Sequence, residues 1–392
     1  MGTVLKAIEM EFSTRSIHIG EETDTETGVG DVVSPIHLST TFARKDPGTP
    51  TKGFDYTRSG NPTRLALERK IASLENADYG LMFSSGLASE TTMFLSLLRP
   101  GDHVIASDDL YGGTERLLRS VLSSVGITYE LRDLTKAASL ESIPEHTKMI
   151  YLETPSNPLL RIIDIKRVSD IAKEHRLLTV VDNTFATPYF QNPLDLGADV
   201  VIHSTTKYIN GHSDSLGGAL ITKSREIYEK LKFNQNAIGA VMSPFDSYLT
   251  MRGIKTLKVR MEEHAKNASE IASYLKSSDM IREVYYPGLE DHPNHDVAER
   301  QMKGYGGMIS FRLKADIAGV KRFVGNLKYI SLAESLGGVE SLIEIPSLMT
   351  HAGIPKSIRE KYGITDDLIR LSVGIEDLND LISDISSALR KI

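Results

Sequence analysis

The chain has 392 residues, 40% of them apolar and 25% charged, enough for two or three domains of ordinary globular composition. A net charge of −7 without a long Lys/Arg run offers no surface for nucleic acid, and the absence of cysteine excludes disulfides, thiolate metal sites and a cysteine nucleophile. The opening MGTVLKAIEMEF has no apolar leader region, and no stretch nears the ~18 uninterrupted apolar residues of a membrane span. A cytoplasmic protein with no membrane span, nucleic-acid partner or metal site is therefore expected.

Residues 1–60 are rich in Thr, Gly, Pro and Ser and too polar to fold alone, so they read either as flexible or as an arm held by packing onto something else. TRLALERKIASLEN then places Leu65, Ile71 and Leu74 at near-helical spacing. YGLMFSSGLASETTMFLSLL is a short apolar run, a Ser-Ser-Gly break and a helical stretch. DHVIAS reads as a strand and TERLLRSVLSSVG as a helix closed by Gly126. ITYELRD, KMIYLE, LLTVVD, DVVIH and GGALIT are further strands, with IKRVSDIAKEHR a helix among them. Several of these strands are continuous apolar runs, as strands buried on both faces are. The alternation predicts an α/β fold with a mostly parallel sheet covered on both sides.

From residue 251 the text changes. MRGIKTLKVRMEEHAKNASEIASYLKSS puts Ile254, Leu257, Met261, Ala265, Ala268, Ile271 and Leu275 on one helical stripe, and it is long enough to bridge two domains. GMISFRL, IRLSVG and a closing helix follow, which predicts a smaller C-terminal α+β domain. The expected division is an arm at 1–60, a main domain at 61–250 and a C-terminal domain at 251–392.

Ligands of open α/β sheets bind beyond the carboxyl ends of the strands. There the sequence places Ser84-Ser85-Gly86-Leu87, then Asp108-Asp109 with Tyr111-Gly112-Gly113, Thr154 to Pro158, Asp182-Asn183, and Ser204, Thr206 and Lys207. Each has an ordinary explanation: a turn, a helix N-cap, a packed tyrosine, a solvated lysine. Together they supply an anion cradle at a helix start, an aromatic plate, a carboxylate and an amine, which is the equipment for pyridoxal phosphate (PLP). Lys207 follows a strand inside a hydroxyl patch with no acidic neighbour in sequence before Asp214. An unpaired amine of that kind suits covalent attachment of a cofactor, with Ser204 and Thr206 beside its phosphate. SSGLAS is neither GxGxxG nor a P-loop, so nucleotide binding is rejected.

PIHLSTTF, YTRSGNPTR, FSSGLAS, DDLYGGTERLL, ETPSNP, VVDNTFATP, HSTTKYINGHSD, LAESLGGVESLIEIPSLMTH and LIRLSVGIED occur in this order. In these motifs the chain resembles the Cys/Met-metabolism family of PLP-dependent enzymes over nearly its whole length. The resemblance implies fold type I, with a mostly parallel seven-stranded sheet, and a homotetramer of two tight dimers with shared active sites. It implies Lys207 as the Schiff-base lysine, Asp182 as the partner of the pyridine nitrogen and Tyr111 as the stacking ring and an acid or base. Gly86, Leu87, Ser204 and Thr206 would hold the phosphate, and Tyr56 and Arg58 that of the neighbouring subunit. Asn157 would lie by the cofactor hydroxyl and the substrate carboxylate, Arg370 would hold that carboxylate, and Ser335 and Thr350 would flank the site. Without the resemblance, Arg370 within a strand also fits an internal ion pair.

The activity implied is γ-elimination on cystathionine, giving cysteine, 2-oxobutyrate and ammonia, with γ-replacement on an O-acylhomoserine as the alternative. Gly113, where methionine γ-lyases carry a cysteine, argues against that activity, and Glu334, where β-lyases commonly carry an aromatic residue, against β-elimination. Glu334 is expected at the mouth of the site, facing the distal ammonium of a long substrate. A catalytically silent binding module is disfavoured, because lysine, aspartate and arginine are all present.

Overall fold

The computed structural model describes residues 10–25, 28–353 and 355–392; Met1–Glu9, which carried most of the leader reading, lie outside them. The strand-like runs form a seven-stranded sheet from β1 (Tyr79–Phe83), β2 (His103–Ser107), β3 (Thr128–Arg132), β4 (Thr147–Glu153), β5 (Leu178–Asp182), β6 (Val200–His203) and β7 (Gly218–Thr222), in the order β1-β7-β6-β5-β4-β2-β3. Only β7 runs against the others, pairing antiparallel with both β1 and β6. The carboxyl ends of β1, β2, β4, β5 and β6 therefore share one edge. β6 shows why the runs are unbroken: Val200, Val201, Ile202 and His203 are all buried.

Helices cover both faces. Pro62–Leu74 begins at Asn61, whose side chain accepts the Thr63 and Arg64 amides, and it buries Leu67, Ile71 and Leu74. Leu65, expected on the inner stripe, is instead 43% exposed, and Leu67 takes its place. The stretch closed by Gly126 tightens and loosens along its length, from α-helix (Gly112–Arg116) through a π-helical segment (Leu117–Leu122) to a final 3₁₀ turn (Ser123–Val125), and Gly126 ends it at φ +83°.

A second sheet has the order β10 (Ser331–Leu332), β11 (Leu342–Glu344), β12 (Leu368–Ser372), β9 (Met308–Leu313), β8 (Ile281–Tyr285). Its core joins Phe311, Ile369 and Leu371 to Phe323 and Ile385 of the helices Ile317–Gly325 and Leu378–Leu389. The run read as one helix from residue 251 is two, Pro244–Ile254 and Leu257–Lys276. The break has a cause: the Gly253 carbonyl is taken by the Arg260 side chain at 2.8 Å and the Thr256 amide at 3.2 Å. Phe185, Tyr208, Met261, Met308 and Leu336 form an apolar junction between the two sheets. Among the described residues, no helix is long and apolar enough to cross a membrane.

Candidate active site

A cavity of about 310 Å³ opens at the shared edge of the large sheet and is closed on one side by residues of the second. Gly86, Leu87, Tyr111, Asn157, Asp182, Ser204, Thr206, Lys207, Glu334, Ser335, Thr350 and Arg370 all line it. Tyr56 and Arg58 do not. Both are exposed; Arg58 lies 5.4 Å over the Tyr56 ring and donates to Asn236 Oδ1 at 3.1 Å.

One end of the cavity is built for an anion. The helix Gly86–Leu97 starts there, and its N-cap Ser85 Oγ accepts the Ala88 amide at 3.0 Å. The Gly86 and Leu87 amides are left without intrahelical partners, as first-turn amides are. A Cβ on Gly86 would lie 3.1 Å from Ser204 Cβ, so glycine lets the helix start approach the β6 end. Thr206 Oγ1 accepts the Gly217 amide at 3.0 Å, which fixes its orientation.

The floor is acidic. Asp182 ends β5, and its Oδ1 accepts the Thr184 amide at 2.9 Å. Burial raises its pKa, with the hydrogen bonds from Thr184 and the charge of His203 opposing. Beside it are Glu90, pushed up to about 8 by burial and then by Asp182, and Glu153, raised well above its ordinary value by the same two causes. Glu153 Oε2 accepts the Tyr111 amide at 2.9 Å, and Glu90 Oε1 accepts from Thr114 Oγ1 at 3.2 Å. Sequence reasoning missed both acids. The available signal for Glu153 was its place as the last residue of β4, one strand from Asp182, against which it pairs.

Tyr111 is 39% exposed. Burial raises its pKa, Arg116 opposes, and Glu90, Glu334 and Glu153 add to the rise, so the hydroxyl keeps its proton at neutral pH. Gly113 has a steric reason: a Cβ there would fall 2.3 Å from the Tyr111 ring.

Lys207 donates to Ser335 Oγ at 2.7 Å. Its pKa falls to about 8, first through burial and then through Arg370, while Glu344 and Glu334 pull the other way. The amine thus has acidic neighbours after all, Glu344 from β11 and Glu334 from the bend after β10, and burial with Arg370 outweighs them. Ser335 holds φ +89°, a left-handed conformation rare for a side-chain-bearing residue, and sends its hydroxyl to Lys207 and its carbonyl to Arg370 Nη2 at 2.9 Å.

Arg370 is buried in β12. Its Nη1 donates to Asn157 Oδ1 at 2.8 Å and pairs with Glu344 at 3.1 Å. Glu344 also accepts from Thr350 Oγ1 at 2.8 Å. The internal ion pair considered for Arg370 is thus present, both terminal nitrogens of the guanidinium are engaged, and the residue still lines the cavity. Glu334 is exposed at the rim, with no hydrogen-bond or ion-pair partner among the described residues.

The donor set fits pyridoxal phosphate. Backbone amides and hydroxyls suit its phosphate, the Asp182 carboxyl, which has no Lys or Arg ion-pair partner among the described residues, suits a protonated ring nitrogen, and a partly neutral amine lies in the same cavity.

A family model described as "Cys/Met metabolism PLP-dependent enzyme" matches residues 13–390. A cystathionine gamma-lyase of Dictyostelium discoideum is 53% identical over 97% of the chain and 98% of its own length. A cystathionine beta-lyase of Lactococcus lactis subsp. cremoris (strain MG1363) is 55% identical over 97% and 99%. The crystal structure of cystathionine gamma synthase from Xanthomonas oryzae pv. oryzae in complex with cystathionine superposes with a TM-score of 0.94, at 44% identity over 97% of this chain and 98% of that one. Overall identity does not set the beta-lyase below the gamma-lyase, so the ranking drawn from Glu334 gains no support from it.

Proposed function

The chain belongs to the Cys/Met metabolism family of PLP-dependent enzymes, and from that premise we propose that it cleaves cystathionine by γ-elimination to cysteine, 2-oxobutyrate and ammonia. It is a PLP-dependent carbon–sulfur lyase. The observation that supports cystathionine as the substrate is the presence on one cavity of a buried Arg370 and of a carboxylate, Glu334, without an ion-pair partner among the described residues, which matches the carboxylate and the distal ammonium of cystathionine.

Bound pyridoxal phosphate supplies the electron sink for carbanion chemistry. Gly86, Leu87, Ser204 and Thr206 would hold its phosphate, Asp182 its ring nitrogen, Tyr111 its face and Asn157 its hydroxyl. The remaining work falls to side chains. Arg370 holds the substrate carboxylate, with Asn157, Ser335 and Thr350 fixing the wall around it. With a pKa of about 8, Lys207 has a neutral fraction near pH 7.5 that can take the Cα proton and pass it on. Having passed that proton on, Lys207 is free again and takes a β proton next. Tyr111, protonated at rest, gives its proton to the departing sulfur, which leaves as cysteine. Water and the remaining four-carbon unit give 2-oxobutyrate and ammonia.

The test is to offer cystathionine, O-acylhomoserine plus cysteine, and methionine separately and identify the products. Cysteine with 2-oxobutyrate supports the reading. Homocysteine with pyruvate would make the protein a β-lyase, and cystathionine formed fastest from the acyl ester would make it a synthase.

The assembly proposed with this function is a homotetramer in which Tyr56 and Arg58 reach the neighbouring subunit's phosphate. Their exposure, and their absence from the lining of their own subunit's cavity, support it. An Arg58→Ala protein mixed with a Lys207→Ala protein under subunit exchange is expected to regain activity that neither has alone; no recovery overturns the shared site.

A further inference from the structure

Arg260, His264 and Asn267 lie on one face of the helix Leu257–Lys276, at spacings of four and three residues, and all three are buried. A helix face turned into the protein is ordinarily apolar. Here each residue donates to backbone carbonyls. Arg260 Nη1 donates to Tyr208 O at 2.7 Å, and its Nη2 to Gly253 O at 2.8 Å and Ile209 O at 3.4 Å. Among the described residues it has no carboxylate partner, and burial alone lowers its pKa to about 10. His264 donates from Nδ1 to Val373 O at 2.7 Å; burial lowers its pKa to about 4, so it is neutral. Asn267 Nδ2 donates to Glu376 O at 3.0 Å and Gly374 O at 3.3 Å.

The two sets of carbonyls are not arbitrary. Tyr208 and Ile209 directly follow Lys207. Val373, Gly374 and Glu376 follow β12, the strand of Arg370. One helix face thus grips the chain just after each of the two site cations. The grip has little slack: a Cβ on Gly211 would fall 1.9 Å from Arg260 Nη1, and one on Gly253 2.1 Å from Asn210 O. A buried guanidinium without an anion is costly, and an apolar side chain of similar volume would pack there more cheaply. An apolar side chain, however, cannot hold three carbonyls from two segments.

We propose that Arg260, His264 and Asn267 are positioning residues, a polar spine that sets the Lys207 turn against the Arg370 strand at a fixed separation. The inference rests on the roles proposed above for Lys207 and Arg370. It assigns the two ends of the spine different kinetic consequences, because Arg260 acts through the amine that moves the proton, and Asn267 through the strand that binds the carboxylate.

The test uses the holoenzyme for kinetics and cofactor-free protein for the rate at which Lys207 covalently captures added pyridoxal phosphate. Arg260→Met is expected to lower kcat about tenfold or more, to slow capture and to leave KM within about twofold, with Arg260→Lys recovering part of both losses. Asn267→Leu is expected to raise KM about fivefold with kcat and capture unchanged. If both variants change kcat and KM alike, in step with lost thermal stability, or if neither changes anything, the spine is overturned. Should Arg260→Met fail to fold, Arg260→Lys decides, and wild-type kcat and capture in that variant count against the proposal. Lys207→Ala and Arg370→Lys serve as controls; if they leave turnover and KM untouched, the site assignment fails and not the spine.

Discussion

At the floor of the cavity Asp182, Glu90 and Glu153 are buried with no basic side chain among the described residues hydrogen-bonded to any of them, whereas at the wall Arg370 carries its own anion, Glu344, at 3.1 Å. Both regions confine charge away from water, and they do so in opposite ways. Burial raises all three floor acids, Glu90 to about 8 and Glu153 well above its ordinary value, leaving a place where a cation would be welcome. The wall is already neutralised, and a second carboxylate must share a guanidinium that is part-occupied. On the assignment proposed above, the floor would serve the cofactor and the wall the substrate. Lys207 lies between them, with the wall's Arg370 depressing its pKa.

Removing that middle cation has the largest expected effect. Lys207→Ala should abolish turnover, a loss beyond the 10²–10⁴-fold of a missing general base alone. The fold should persist, since among the described residues the amine hydrogen-bonds to Ser335 alone. Because floor and anion cradle are intact, the variant should still bind the cofactor, now removable by dialysis and without the wild-type visible absorbance. Normal rates with the wild-type spectrum would refute the role of Lys207.

A smaller effect sharpens the contrast at the floor. Glu90 has its pKa raised to about 8, above the ordinary carboxylate value it keeps when unfolded. Between those two values the folded protein holds a proton that the unfolded chain has released. Stability of the cofactor-free protein from this group is therefore full at low pH and falls as pH rises, by up to about 1.4 kcal/mol per pH unit, until pH passes about 8. Glu90→Gln should remove that slope, read as the melting temperature of cofactor-free protein at pH 6 and pH 8. An unchanged slope would mean the floor is not held neutral at Glu90.

How far this site was legible in the sequence follows from how its residues are placed. Lys207, Asp182 and the Ser-Ser-Gly break stand at strand ends, where β-branched runs stop and polar residues begin, and that boundary is visible one residue at a time. The seven strands were legible for the same reason. Glu344 was not, because it becomes a neighbour of Arg370 only when β11 pairs with β12, where Glu344 faces Arg370 directly. Glu90 sits inside a helix, where a glutamate is unremarkable until burial is known. Arg260, His264 and Asn267 were hidden within an amphipathic helix whose apolar stripe explains its packing without them. The short strands β10 and β11 are too brief to carry a period.

The smallest expected effect lies at the rim. Glu334 is neither buried like the floor nor paired like the wall, so water screens whatever it attracts. An exposed charge pair of this kind contributes roughly 0.2–1 kcal/mol, which corresponds to no more than about a fivefold change in KM. Cystathionine carries a second, distal ammonium, and methionine and homoserine do not. Glu334→Ala should therefore raise KM for cystathionine up to several-fold and leave any turnover of methionine or homoserine unchanged. Because Glu334 also raises the Lys207 pKa, the acidic limb of kcat/KM should move slightly downward in the variant. Equal losses on all three substrates would place Glu334 in the common chemistry, and unaltered cystathionine kinetics would remove it from recognition altogether.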